Sequence, residues 1–324
     1  MTAPVNITRR ELARLITGIE NGDAAALQKV KALHAQAGNA GAVVGITGAP
    51  GTGKSTLVAA LAREARARQR TVAILSIDPS SPFSGGAILG DRIRMRELSG
   101  DVGVFIRSMA NRGAKGGLAN AAADVVAVLD AAGYDLILLE TVGAGQAEVD
   151  VARVADTVVV VEAPGLGDDV QAIKAGILEI ADILVVNKAD REGADATVAA
   201  LKAALELGEV TSGHHGLSLP AAKRIEGSRR MPLLKTIATQ GEGIAALLDA
   251  IEQHSALMRE DDALRRRRAR QEILMRFRRM LLAEAERRLD DDALQQWANA
   301  CAARAAHPDD AARDLLRGIF PELS

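Results

Sequence analysis

The stretch GAPGTGKST, Gly48 to Thr56, stands directly after the apolar run AVVGIT (42–47) and directly before the helical pattern TLVAALAREARA. It fits G-x-x-x-x-G-K-[ST], and the chemistry explains the spacing. Gly48, Gly51 and Gly53 permit backbone dihedrals that turn successive N–H groups onto phosphate oxygens, and the helix N-terminus adds its dipole. Lys54 is placed to bridge the β- and γ-phosphates as a catalytic residue, and the Ser55 hydroxyl is the usual magnesium ligand of such a loop. The expected phosphate cradle is therefore Gly48, Ala49, Pro50, Gly51, Thr52, Gly53, Lys54, Ser55 and Thr56. A chain that carries this strand–loop–helix unit is committed to an α/β fold of the P-loop type.

The remaining pattern agrees. TVAILSID (71–78), VGVFI (102–106), DLILLET (135–141), DTVVVVEA (156–163) and DILVVNK (182–188) are short, continuous and rich in β-branched residues, with helical stretches between most of them. Such alternation predicts a mostly parallel central sheet covered on both faces. MPLLKTIA (231–238) offers one more strand. Upstream, ITRRELARLITGIE and DAAALQKVKALHAQAG read as helices, the first capped by Thr8 with Glu11 three residues on. After Gly243 the strands stop. IAALLDAIEQHSALM and DALRRRRARQEILMRFRRMLLAEAERRL read as helices, with Leu264, Ile273, Leu274, Phe277, Leu281 and Leu282 on one stripe, and two shorter helices follow.

Composition narrows the function. Aromatic residues are only 2% of the 324 and net charge is −2, so neither a stacking platform nor a basic field for nucleic acid is expected. RRRRAR (265–270), flanked by acidic residues, reads as a solvated helix face. The single cysteine, Cys301, fits a reducing compartment and reads as a small buried residue. No apolar run is long enough to span a bilayer, and a cytoplasmic protein without membrane attachment is expected. His214 and His215 read as surface-loop residues without metal partners, and Trp297 as a packing residue of the helical arm.

NKAD, Asn187 to Asp190, ends a strand well downstream of the cradle. A carboxylate at Asp190 accepts two hydrogen bonds at once from guanine N1–H and its exocyclic amine. Adenine offers no such donor pair, so it would leave the carboxylate unsatisfied. Asn187 would tie this loop to the cradle, and the Lys188 stem would cover the ring face. The segment Ile237, Ala238, Thr239 completes the base side through a backbone N–H near Ala238. Glu140, at the end of a strand in LLETVGAGQAE, fits a magnesium-sensing position, and the N–H of Gly143 can meet the γ-phosphate. Gln146 lies three places after that glycine rather than next to it, so it is not assigned the water-orienting role, and slow hydrolysis is expected. Asp78 ends the strand after the cradle helix. Either it positions the attacking water or it makes an outer contact to magnesium. Asp91 reaches the same metal only if PSSPFSGGAILG folds over the site; otherwise it caps RIRMREL.

Together GITGAPGTGKST, DPSSPFSGGAILGDRIRM, FIRSMANRGAKGGLA, ETVGAGQAEVDVA, PGLGDDVQAIKAGILEIADILVVNKAD and GEGI resemble the MeaB/ArgK family over about residues 5–285. The resemblance implies a GTPase that binds GTP and GDP with Mg²⁺ and chaperones an adenosylcobalamin-dependent acyl-CoA mutase, gating cofactor loading and protecting the mutase. It places the family's magnesium residues on Ser55, Asp78, Asp91 and Glu140, and a switch that communicates with the mutase on Gln171 and Lys174. It implies a homodimer held by the C-terminal helices. The chain lacks a D-x-H-x-x-G motif, so the cobalamin is expected on the partner. The corresponding division is a helical extension at 1–40, a GTP-binding domain at 41–255 and a helical dimerisation arm at 256–324. Two departures stand out. FIRSMANRGAKGGLA differs from the RPSPSSGTLGG style of methylmalonyl-CoA mutase partners, which points to the ArgK-like branch or to a related mutase such as one acting on hydroxyisobutyryl-CoA. IAT stands where other members have SAR, which keeps a backbone contact and removes a serine hydroxyl. The alternative from another class is a P-loop kinase of a small molecule such as arginine, using ATP.

Overall fold

AVVGIT folds as β1 (Ala42–Thr47) with all its residues buried. A continuous apolar run is what a strand covered on both faces requires. The computed structural model describes residues 7–34, 41–78, 96–110, 118–141, 151–152, 154–165, 180–211 and 231–320. Within these, β1 is joined by β2 (Val72–Asp78), β3 (Val104–Ala110), β4 (Leu136–Thr141), β5 (Thr157–Glu162), β6 (Ile183–Asn187) and β7 (Leu233–Thr236). The sheet order is β3-β2-β4-β1-β5-β6-β7, and every pairing is parallel. The expected α/β fold is the one the chain adopts, and MPLLKTIA does supply the last strand.

One device recurs at the amino ends of the strands. Asp135, Asp156 and Asp182 each stand just before an apolar run. Each carboxylate accepts a backbone N–H from the neighbouring strand's start: Thr71 at 2.7 Å, Val43 at 3.3 Å and Val158 at 2.8 Å. These donors lie where the ladder begins, and a buried N–H without a partner is costly.

The strand expected at 102–106 is shifted. Val102 is 87% exposed, and the Gly103 N–H donates to Asp101 Oδ1 at 2.7 Å, so 101–103 turn before the ladder starts. Arg66 clamps the turn, donating to both Asp101 oxygens at 2.9 and 3.0 Å. The strand then continues through RSMA, because Arg107 reaches Glu20 at 2.5 Å and Thr17 at 3.0 Å. Its charge is therefore paired where pattern alone ended the run.

Alternate residues of the strands feed opposite layers. On one face Val44, Ile46, Ile74 and Leu138 pack with α3 (Lys54–Ala67), α4 (Arg96–Ser99) and α7 (Ile244–Glu260). On the other, Leu75 and Ile137 pack with α1 (Arg9–Asn21), α2 (Ala24–His34) and α5 (Leu118–Ala131). Val158, Val160 and Leu184 continue that face towards Leu205 of α6 (Ala194–Thr211). The expected capping box of α1 is formed: Thr8 Oγ1 accepts the Glu11 N–H, and Glu11 Oε2 accepts the Thr8 N–H.

The chain divides into Met1–Asp261 and Asp262–Ser324. The second unit holds α8 (Asp262–Arg288), α9 (Asp291–Ala302) and α10 (Pro308–Ile319). Trp297 Nε1 donates to Asp314 Oδ2 at 3.2 Å, tying α9 to α10. Cys301, expected to be buried, is only half-buried, because α9 buries none of its residues. On α8 the apolar side chains of Ile273, Phe277, Met280 and Leu282 are exposed. Among the described residues no helix is long and apolar enough to cross a membrane.

Candidate nucleotide and metal site

Parallel pairing brings the carboxyl ends of the strands to one edge, where loops of α/β sheets bind ligands. The loop after β1 turns at Gly48 (φ 141°) and Gly53 (φ 93°). A Cβ at Gly48 would lie 2.1 Å from the Val161 carbonyl oxygen, and one at Gly53 would lie 2.6 Å from Asn187 Nδ2. Both positions thus need glycine for the dihedral and for the close approach. Gly53 caps α3 without a side-chain hydrogen bond, so the first amides of α3 have no capping side chain at Gly53 to receive them. Thr52 is fully buried, and its hydroxyl donates back to the Ala49 carbonyl at 3.0 Å.

Two lysines hold the loop. Lys54 Nζ donates to the carbonyls of Gly48 at 2.6 Å and Ala49 at 3.1 Å. Lys188, in left-handed backbone at φ 58°, donates to the Gly51 carbonyl at 2.6 Å. Two ammonium groups thus lie against one short glycine loop.

Asn187 joins the two sides of the site. It is 2% exposed. Its Nδ2 donates to the Thr52 carbonyl at 2.9 Å, and its Oδ1 accepts from Thr236 Oγ1 at 3.1 Å and the Ala238 N–H at 3.2 Å. The cradle, the end of β6 and the segment after β7 are therefore one hydrogen-bonded unit. The Ala238 N–H, considered for a base carbonyl, is engaged here by Asn187. Ile237 pairs with Glu242 in an isolated antiparallel bridge, and Asp190 and Thr239 are exposed. Thr236 was not singled out from sequence. Its signal is a hydroxyl at the end of β7, one strand away from Asn187 in register.

Ser55 opens α3 and Glu140 lies near the end of β4. Ser55 Oγ donates to Glu140 Oε1 at 2.5 Å, and Glu140 is 1% exposed. A hydroxyl and a carboxylate side by side against a phosphate loop are hard oxygen donors that suit Mg²⁺. That ion characteristically takes few protein ligands, the rest being phosphate oxygens and water. Among the described residues no group of three or more His, Cys, Asp or Glu side chains could hold a metal. Asp78 ends β2, its backbone paired with Ala110. Its side chain lies outside the described residues, as do Asp91, Gly143, Gln146, Gln171, Lys174, His214 and His215.

Comparison with known proteins shows the family. The family model for "Methylmalonyl Co-A mutase-associated GTPase MeaB" matches residues 12–290. A Pyrococcus abyssi protein provisionally named a GTPase is 51% identical over 268 residues, covering 82% of this chain and 79% of its own. The GTPase ArgK of Escherichia coli is 40% identical over 186 residues, 56% of each chain. The mouse protein named methylmalonic aciduria type A homolog, mitochondrial, is 34% identical over 260 residues, 80% of this chain and 59% of its own. A crystal structure titled LAO/AO transport system kinase superposes with a TM-score of 0.62 at 24% identity, over 97% of this chain and 99% of that one. That likeness concerns the fold.

Proposed function

Starting from the chain's membership of the MeaB family of GTPases, we propose that it binds GTP with Mg²⁺, hydrolyses it slowly, and uses the cycle to chaperone an adenosylcobalamin-dependent acyl-CoA mutase. The observation that carries the nucleotide half is Asn187, which links the phosphate loop at Thr52 to the segment at Thr236 and Ala238. A guanine held by Asp190 and covered by Lys188 then sits on the same rigid unit as the phosphates. Ser55 and Glu140 hold the metal, with Asp78 and Asp91 completing its surroundings. When bound, Mg²⁺ neutralises charge on the β- and γ-phosphates. Lys54 turns from the Gly48 and Ala49 carbonyls to the phosphate oxygens and stabilises the charge that develops as water attacks in line. Gly143 contacts the γ-phosphate, and Gln171 and Lys174 pass the nucleotide state to the partner.

The family's printed description names methylmalonyl-CoA mutase association, and this supports a mutase of that class as partner, with the cobalamin on the mutase. The exposed apolar side chains of α8 support a homodimer through the helical arm. The test is capture of native partners on the GTP-analogue-bound and GDP-bound protein. An adenosylcobalamin-dependent mutase retained in a nucleotide-dependent way is expected. No mutase in either state, with GTP turnover intact, removes the chaperone half and leaves the GTPase. Turnover of ATP as fast as GTP would favour the kinase alternative instead.

A further inference from the structure

We propose that Ser76 is a positioning residue of the metal–nucleotide site, its hydroxyl held ready for a water in the magnesium shell. The proposal rests on the assignment of Ser55 and Glu140 as the metal pair and adds a neighbour to it.

Ser76 lies on β2, two residues before the strand's end. It is 2% exposed, and among the described residues its Oγ has no hydrogen-bond partner. A buried hydroxyl in that condition is destabilising, so an apolar side chain would serve a purely structural strand better. The register shows what it is beside. In the β2–β4 ladder Ser76 is paired with Glu140, and in the β1–β4 ladder Glu140 is paired with Ile46. Ile46 and Ile74 belong to the core layer under α3. Alternation then puts Ser76, two on from Ile74, on that same face. Adjacent strands lie about 4.8 Å apart. Ser76 is therefore one strand spacing from the carboxylate that receives Ser55 Oγ at 2.5 Å. The rest of this layer is apolar along β1 and β2, from Ala42 to Ile46 and from Val72 to Ile74. The polar exception falls in the same row as the acidic group.

A hydroxyl both donates and accepts, which suits one water bound to a cation and to a carboxylate. Mg²⁺ keeps several waters, and groups that orient such outer contacts typically change metal affinity by about tenfold to a hundredfold when removed. Ser76 touches neither nucleotide nor ion in this scheme. It fixes the water that Glu140 shares.

The experiment titrates Mg²⁺ against binding of a fluorescent GDP analogue to the full-length protein, with thermal melting of each nucleotide-free variant alongside. Wild type, Ser76→Ala, Ser76→Cys and Glu140→Ala are compared; the cysteine retains volume without a strong hydrogen-bonding group. Expected are a Mg²⁺ midpoint about tenfold higher for both Ser76 variants, nucleotide-free melting equal to or above wild type, and loss of the Mg²⁺ response in Glu140→Ala. A Ser76 midpoint equal to wild type, while Glu140→Ala loses the response, overturns the proposal and leaves the metal pair standing. A drop in melting temperature for both Ser76 variants with an unchanged midpoint shows a structural hydroxyl and overturns it too. A wild type indifferent to Mg²⁺ overturns both the proposal and the metal pair.

Discussion

Asn187 and Thr52 are joined across 135 residues by a buried 2.9 Å hydrogen bond from Nδ2 to the loop carbonyl. With the bonds to Thr236 and Ala238 it makes the loop after β1, the end of β6 and the segment after β7 one mechanical unit. Asn187→Ala strands three groups at once: the Thr52 carbonyl, the Thr236 hydroxyl and the Ala238 N–H. The expected loss is about 2–4 kcal/mol of stability, read by urea denaturation without nucleotide, together with weakened binding of both GDP and GTP. Unchanged stability would mean that water replaces the side chain without cost.

In the proposed site Asp190 reads the base. Xanthine keeps the N1–H of guanine but carries an oxygen where guanine carries the amine. Asparagine offers one acceptor and one donor, which matches xanthine. Asp190→Asn should weaken GDP binding by about a hundredfold and improve binding of xanthosine diphosphate, both read by competition against a fluorescent nucleotide. Equal loss for both nucleotides would remove Asp190 from base recognition.

Lys54 donates to the Gly48 and Ala49 carbonyls, and in the proposed cycle it leaves them for the phosphate. Lys54→Ala should lower the single-turnover rate of GTP hydrolysis by about a hundredfold or more. A preparation free of other nucleotidases is essential to the measurement. Phosphate release at the wild-type rate would exclude the lysine from the chemistry.

Asp101 carries a dependence on pH. Its carboxyl lies below the usual aspartate range, first because Arg66 donates to it and then because of the Gly103 N–H. A depressed folded pKa stabilises the protein above the unfolded value, about 3.9, and that contribution is lost as pH falls through the folded value. Asp101→Asn should therefore melt lower than wild type near neutrality and converge with it as pH drops below about 4. A constant difference in melting temperature across that range would refute the assignment.

Ile273, Phe277 and Met280 recur at helical spacing on α8 and are all more than half exposed. An exposed apolar stripe of this kind supports the proposed dimer surface. Light scattering should find wild type as a dimer and Ile273→Glu/Phe277→Glu as a monomer with unchanged helical content. A monomeric wild type would leave the arm without its proposed role.

Much of the site was legible because its chemistry is local. The cradle from Gly48 to Thr56 and the strand end at Asn187 are short segments whose residue types report a function directly. What pattern missed depended on partners distant in sequence. β3 extends through Arg107 only because Glu20, 87 residues away, neutralises it. Cys301 is half-buried, on a helix that buries none of its residues. Thr236 gains its role only from the register that brings β7 beside β6.

By itself the sequence determined the phosphate loop, the α/β class and the family, since glycine dihedrals, strand periodicity and motif spacing are properties of contiguous residues. Tertiary structure alone decided which groups meet. Parallel pairing set Glu140 beside Ser76 and α3 brought Ser55 down onto it. β6 carried Asn187 under Thr52. Hydrogen bonds are made between atoms within about 3 Å, and in this chain the partners that define the site lie 85 and 135 residues apart. Only the folded sheet closes that distance.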